Sequence, residues 1–192
     1  MSGQDDETAE LVARFRLGDE EALRSLIGLH KEALYRFIYR CLGDRGESDE
    51  LLSQVFIRAW NSRKRYRPGR ALFSTWLFTI ATNLCRDHGR KKKRHPADFA
   101  AMKNHDDNAL LQQISAKPDL DSPSEKVVGR EEVALLQQAI SELPHLLRAT
   151  LILHALECYS QKETARCLGC SVKAVESRIS RARKLLREKL RD

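Results

Sequence analysis

Residues 160–183 read SQKETARCLGCSVKAVESRISRAR, two short helical patterns joined by a glycine turn, the second of them basic. Ser160 is placed to cap a helix, and Glu163, three residues on, can bond back to it as a capping box. Thr164, Ala165 and Leu168 supply an inward face, and Gly169 falls where a chain leaving a helix needs positive φ. Ser171 is an N-cap for a second helix, in which Val172, Val175, Ile179, Ala182 and Leu186 recur at helical spacing. The opposite face carries Lys173, Glu176, Ser177, Arg178, Ser180, Arg181 and Lys184, side chains suited to base edges and phosphates. The pattern is that of a helix-turn-helix, a device for reading duplex DNA. The alternative is an ordinary helical hairpin with a solvated basic face.

The distribution of charge argues against that alternative. The chain has 192 residues, a net charge of +7 and a pI near 9.3. Between residues 58 and 94 there are twelve Lys or Arg and one acid, Asp87; residues 171–192 hold eight basic residues and three acids. Residues 95–125 hold two Lys and six acids. Two cationic blocks separated by an acidic spacer fit two phosphate-facing surfaces better than a general solubility requirement. The acidic N-terminus lacks a cationic apolar run and no stretch reaches the length of a membrane span, so the expectation is a cytoplasmic protein without membrane attachment. The five cysteines fall at helical apolar positions with no disulfide framework.

Outward from the quoted stretch, the pattern is helical wherever it is periodic. After a frayed segment from Met1 to Glu7, Leu11, Val12 and Phe15 mark a short helix ending at Gly18. Asp19 caps a long helix with an inward stripe of Ala22, Leu23, Leu26, Ile27, Leu34, Ile38 and Leu42, closed by Gly43. A third helix runs from about Ser48 to Ser62, and Pro68-Gly69 breaks the pattern. A fourth starts at Ser74 with Trp76, Leu77, Ile80, Ala81 and Leu84 inward, and Lys91-Lys92-Lys93-Arg94 ends it; Gly89 offers an earlier stop. From His95 to Pro123 periodicity fades, with a brief helix conceivable near Ala109 to Ser115, and it resumes from about Ser124 to Leu143. Pro144 fits the first turn of a further helix containing Leu147, Leu151 and Leu156. The expected architecture is all-α: an N-terminal helical domain over 8–95, a flexible acidic linker over 96–123, and a C-terminal helix-turn-helix domain over 124–192.

Two further segments carry chemistry. Glu47 to Trp60, ESDELLSQVFIRAW, has an apolar seam and a polar edge of Asp49, Glu50, Ser53 and Gln54. Residues 66–87, YRPGRALFSTWLFTIATNLCRD, follow a run of Arg63, Lys64 and Arg65. Cations interleaved with Tyr66 and Trp76 suit capture of unstacked bases, and Asn83, Arg86 and Arg90 add an amide and guanidinium groups on a neighbouring helical surface. Trp60 reads as core packing; Trp76 fits core packing and base stacking equally.

At these residues the chain resembles the extracytoplasmic-function group of bacterial sigma factors, in the right order and with the right gap. The first segment is similar to that family's acidic, aromatic helix that binds RNA polymerase core, which implies Asp49, Glu50, Leu51, Ser53, Gln54 and Phe56 as contacts. The second resembles its promoter-melting and −10 element, implying contacts to the melted −10 strand from Arg63, Lys64, Arg65, Tyr66, Trp76, Asn83, Arg86 and Arg90. Leu143-Pro144, the helix-turn-helix and Arg181-Ala-Arg183 resemble its −35-reading domain, implying contacts to −35 duplex from Ser171, Lys173, Glu176, Ser177, Arg178 and Arg181. Glu176 stands at a position that is usually basic in the family; a carboxylate cannot hold a phosphate but can accept from a cytosine amino group. The resemblance further implies an anti-sigma factor as a partner, no catalysis of the chain's own and no cofactor.

Three alternatives remain at this point. A stand-alone helix-turn-helix regulator that does not bind polymerase core explains residues 160–183 but not the helix from Asp49 to Trp60. An enzyme acting on nucleic acid lacks convergent carboxylates, a metal cluster or a Gly-rich phosphate loop. Cys167 and Cys170, with Cys158 and His154 upstream, invite a zinc or redox reading, but inward positions flanking the turn suit cysteine as a small apolar side chain.

Overall fold

A computed structural model describes residues 2–94 and 135–191. The segment expected as a linker, the helix near 109–115 and the start of the helix from Ser124 lie outside the described residues.

The N-terminal domain is built from α1 (Ser2–Leu17), α2 (Glu20–Leu42), α3 (Arg45–Asn61), a 3-10 turn (Arg63–Arg65) and α4 (Phe73–Arg94). Local chemistry sets the joints. Gly18 adopts φ +96, and Asp19 then caps α2, accepting from the amides of Glu21 and Ala22 at 2.9 and 3.2 Å. The same carboxylate takes a hydrogen bond from Arg14 at 2.8 Å, which holds its pKa below the usual range. Gly43 closes α2 in the left-handed region, φ +76, its amide bonded to the carbonyl of Tyr39. Asp44 caps α3 by accepting from the amide of Glu47 at 2.8 Å.

Two boundaries differ from the sequence expectation. α1 reaches back to Ser2 rather than fraying to Glu7. α3 begins at Arg45 because Asp44, not a residue nearer Ser48, supplies the cap. α4 runs past Gly89 and ends at Arg94, within the cationic run expected to close it. Its last turns are held by long-range pairing: buried Glu47 accepts from Lys92 at 2.9 Å and lies 3.0 Å from the His88 ring. A helix glycine costs only about 1 kcal/mol, which such contacts can outweigh.

The C-terminal domain comprises α5 (described over 135–141), α6 (His145–Leu151), a π-helical turn (Ile152–Leu156), α7 (Gln161–Leu168) and α8 (Val172–Lys189). Both halves of the capping box on α7 are formed: Ser160 accepts from the amide of Glu163, and the Glu163 carboxylate accepts from the amide of Ser160. Gly169 takes φ +59, and Ser171 caps α8 by accepting from the amide of Ala174. Val175, Ile179, Ala182 and Leu186 are the buried face of α8. Cys158 departs from the expected pattern. It is exposed, outside any helix, and takes φ +56 in the turn that follows the π-helical segment.

The core of the N-terminal domain gathers Phe15, Leu26, Leu34, Phe37, Ile38, Val55 and Leu77, all at most 1% exposed. Each such side chain contributes about 1.5–3 kcal/mol by leaving water. The same apolar cluster continues into the C-terminal domain through Ala149, Ile152, Leu153 and Cys167. The two domains therefore pack on one another. α7 lies across α4, with the Cys167 thiol donating to the Thr75 carbonyl at 3.6 Å and Tyr159 packed on Phe78 at 5.1 Å between ring centroids. Arg40 pairs with Glu157 at 2.8 Å, and Arg148 donates to the carbonyls of Cys41 and Leu143.

Candidate nucleic-acid interface

The polar edge of α3 faces solvent at Asp49, Glu50 and Ser53, with Gln54 half-buried. Gln54 donates to Glu50 at 2.9 Å, which fixes the carboxylate, and Ser53 donates to the carbonyl of Asp49. Phe56 is half-buried against the core, whereas Leu51 is 3% exposed and belongs to the core itself. Leu51 is thus removed from the surface on which the resemblance set it. Ile57 is an exposed apolar side chain of the same helix, at 59% exposure. Its spacing of seven from Glu50 and four from Ser53 puts it on the same edge, a signal present in the sequence but hidden within an apolar seam.

The loop between α3 and α4 divides its residues into two groups. Arg63 stacks 4.3 Å over the Trp60 ring and donates to the Trp60 carbonyl at 2.9 Å, while Gly18 brings the end of α1 against its guanidinium. Tyr66 is 6% exposed, donates its hydroxyl to the Ala71 carbonyl at 2.9 Å, and has its pKa raised by burial. Both were expected to face nucleic acid, and both are instead spent on shaping the loop. Lys64, Arg65, Arg67 and Arg70 are the exposed cations this shaping leaves outside. Trp76 is half-buried, its ring 5.1 Å from Tyr66, 5.5 Å from Phe73 and 6.5 Å from Phe15, so it packs and still presents an edge. Further along α4, Asn83 accepts from Arg86 at 2.8 Å and Arg90 is exposed.

On α8 the free face is largely as expected: Lys173, Glu176, Ser177, Ser180, Arg181 and Lys184 are exposed. Arg178 is half-buried and donates to the Cys170 sulfur at 3.3 Å, which directs it toward the turn, and the Ser171 hydroxyl is engaged in capping. The cysteines near the turn have separate surroundings. Burial pushes the Cys167 thiol up to about 12, and His154 is tied through Nδ1 to the Tyr159 carbonyl at 2.8 Å. Among the described residues no group of three or more His, Cys, Asp or Glu could hold a metal ion, and no helix is long and apolar enough to cross a membrane.

Comparison with known proteins shows the family. Sigma-70 region 2 matches residues 26–95, and Sigma-70, region 4 matches residues 134–186. The two matches define a transcription initiation factor whose N-terminal and C-terminal domains carry different regions of one class. The ECF RNA polymerase sigma factor SigW of Bacillus subtilis is 33% identical over 181 residues, covering 94% of this chain and 95% of that protein. The chain belongs to the ECF RNA polymerase sigma factors. Among solved structures, CnrH in complex with the cytosolic domain of CnrY superposes with a TM-score of 0.66 at 28% identity, over 94% of each chain. The sigma factor RpoE bound to the anti-sigma factor NepR, from Bartonella quintana, shares the fold with a TM-score of 0.64 at 22% identity, over 88% of this chain and 96% of that one.

Proposed function

We propose that the chain binds RNA polymerase core through the outer edge of α3, captures the melted −10 strand with the loop after α3 and the exposed side of α4, and reads −35 duplex with α8. The observation that carries this reading is the separation of the surfaces. An acid-rich edge with one exposed isoleucine, a cation-rich loop beside a half-exposed tryptophan, and a basic recognition helix lie on different elements. Asp49, Glu50, Ser53, Gln54, Phe56 and Ile57 serve the polymerase contact. Lys64, Arg65, Trp76, Asn83, Arg86 and Arg90 serve the −10 strand, joined by Arg67 and Arg70. Lys173, Glu176, Ser177 and Arg181 reach the −35 groove, with Ser171 and Arg178 at its margin.

In this reading the factor is not an enzyme, since polymerase supplies the catalysis, and it works in the cytoplasm. The packing of α7 on α4 suits a resting form that must open for both promoter elements to be engaged. CnrH is bound to a second protein in its solved structure; an anti-sigma factor acting on this chain would hold the two domains in such a form.

Run-off transcription with purified core and a promoter library tests the reading. Initiation that depends on the chain and on promoter sequence is expected, with Asp49→Lys/Glu50→Lys losing core binding. DNA binding without any association with core would leave a stand-alone regulator in its place.

A further inference from the structure

A cavity of about 520 Å3 lies between the two domains, within the size range of small-molecule sites. Its wall is the loop after α3 with the start of α4, contributing Arg65, Arg67, Arg70, Thr75 and Trp76; Arg166 of α7 is the one lining residue from the C-terminal domain among the described residues.

Two features of this cavity point to a ligand. Four guanidinium groups line it with no carboxylate among its lining residues; Arg166 has the Glu163 carboxylate as a neighbouring charge one turn back on α7, whereas none of the three loop arginines has an ion-pair partner among the described residues. Arginine stays charged at any physiological pH, so four gathered together call for an anion. Trp76, fixed by Tyr66 and Phe73, gives the same cavity an aromatic wall. Arginines beside a fixed aromatic ring suit phosphates joined to a base. A −10 strand accounts for the loop side of this arrangement but not for Arg166, which belongs to the other domain.

We propose that the cavity binds a free nucleoside polyphosphate, its base against Trp76 and its phosphates bridging the loop arginines and Arg166. Such a ligand ties the two domains together and occupies Arg65 and Trp76, so it opposes capture of the −10 strand. Only that competition rests on the function proposed above.

Calorimetric titration of the free full-length chain tests the site directly, at about 150 mM salt, where exposed charges are well screened. The probes are ATP without metal, adenosine, inorganic triphosphate and a single-stranded oligonucleotide. ATP is expected to bind one to one, with adenosine and triphosphate each weaker by about ten-fold or more. Arg166→Ala and Arg70→Ala should each weaken ATP by about ten-fold, the loss of one charge-assisted hydrogen bond. Arg166→Ala should leave oligonucleotide binding unchanged, and thermal melts by circular dichroism check that the variants fold. Triphosphate binding as tightly as ATP would reduce the cavity to an unselective anion patch and overturn the proposal. ATP binding unaffected by Arg166→Ala would overturn it too, placing the ligand on the nucleic-acid loop alone. Neither polymerase nor promoter enters the titration, so failure here is distinguishable from failure of the initiation assay.

Discussion

The loop after α3 and the recognition helix α8 both present cations, and they hold them by different means. On α8 a regular amphipathic helix does everything: Val175, Ile179, Ala182 and Leu186 go inward, and the polar face follows from a periodicity of 3.6. In the loop, no period exists. Arg63 and Tyr66 are drawn inward by an aromatic cluster from α1, α3 and α4, and only then do Lys64, Arg65, Arg67 and Arg70 face out. The first surface is set by local sequence, the second by long-range packing. Substitutions should therefore couple stability to function in the loop and separate them on α8.

The largest expected effect tests that coupling. Phe15 touches Trp60, Phe73 and Trp76 at centroid distances of 5.9, 5.4 and 6.5 Å. Phe15→Ala should cost about 3–5 kcal/mol, seen in denaturant unfolding, and remove −10 strand binding although Phe15 itself is fully buried. Smaller by a step, Tyr66→Phe deletes only the hydroxyl that donates to the Ala71 carbonyl and should lower stability by about 1 kcal/mol while weakening strand capture in the same assay. On α8 the two readouts should part. Arg181→Ala should leave the melting curve within about 0.5 kcal/mol of wild type and flatten the salt dependence of −35 duplex binding by about one phosphate contact.

The smallest effect concerns the seam between the domains. Burial raises the pKa of Glu157, against the opposing pull of Arg40 and Arg36. A carboxyl that binds its proton more tightly when folded favours the fold below its ordinary value near 4.5, and that contribution is lost as pH rises through the folded pKa. Unfolding measured from acid to neutral pH should thus show wild type losing ground to Glu157→Gln over that window; parallel curves would mean that Glu157 is solvated and the seam is open.

How much of this was legible in the sequence follows the same division. The caps Asp19, Ser160 and Ser171 and the glycines at 18, 43 and 169 announce their joints because the required chemistry lies within four residues. The packing of α7 on α4 was not legible: Cys167 reads as inward within its own helix pair, and its bond to the Thr75 carbonyl spans about ninety residues of chain. Leu51, Arg63 and Tyr66 were assigned to interfaces by motif, and their inward direction depends on neighbours that no motif contains.

Footprinting of the polymerase bearing this chain on a promoter selected from the library tests the central claim most directly. The account predicts protected duplex at −35 together with permanganate-reactive thymines near −10. Lys64→Ala/Arg65→Ala/Arg67→Ala should abolish the reactive thymines and leave the −35 protection in place. The same footprint from the chain without core, or loss of both signals together in the triple variant, would contradict it.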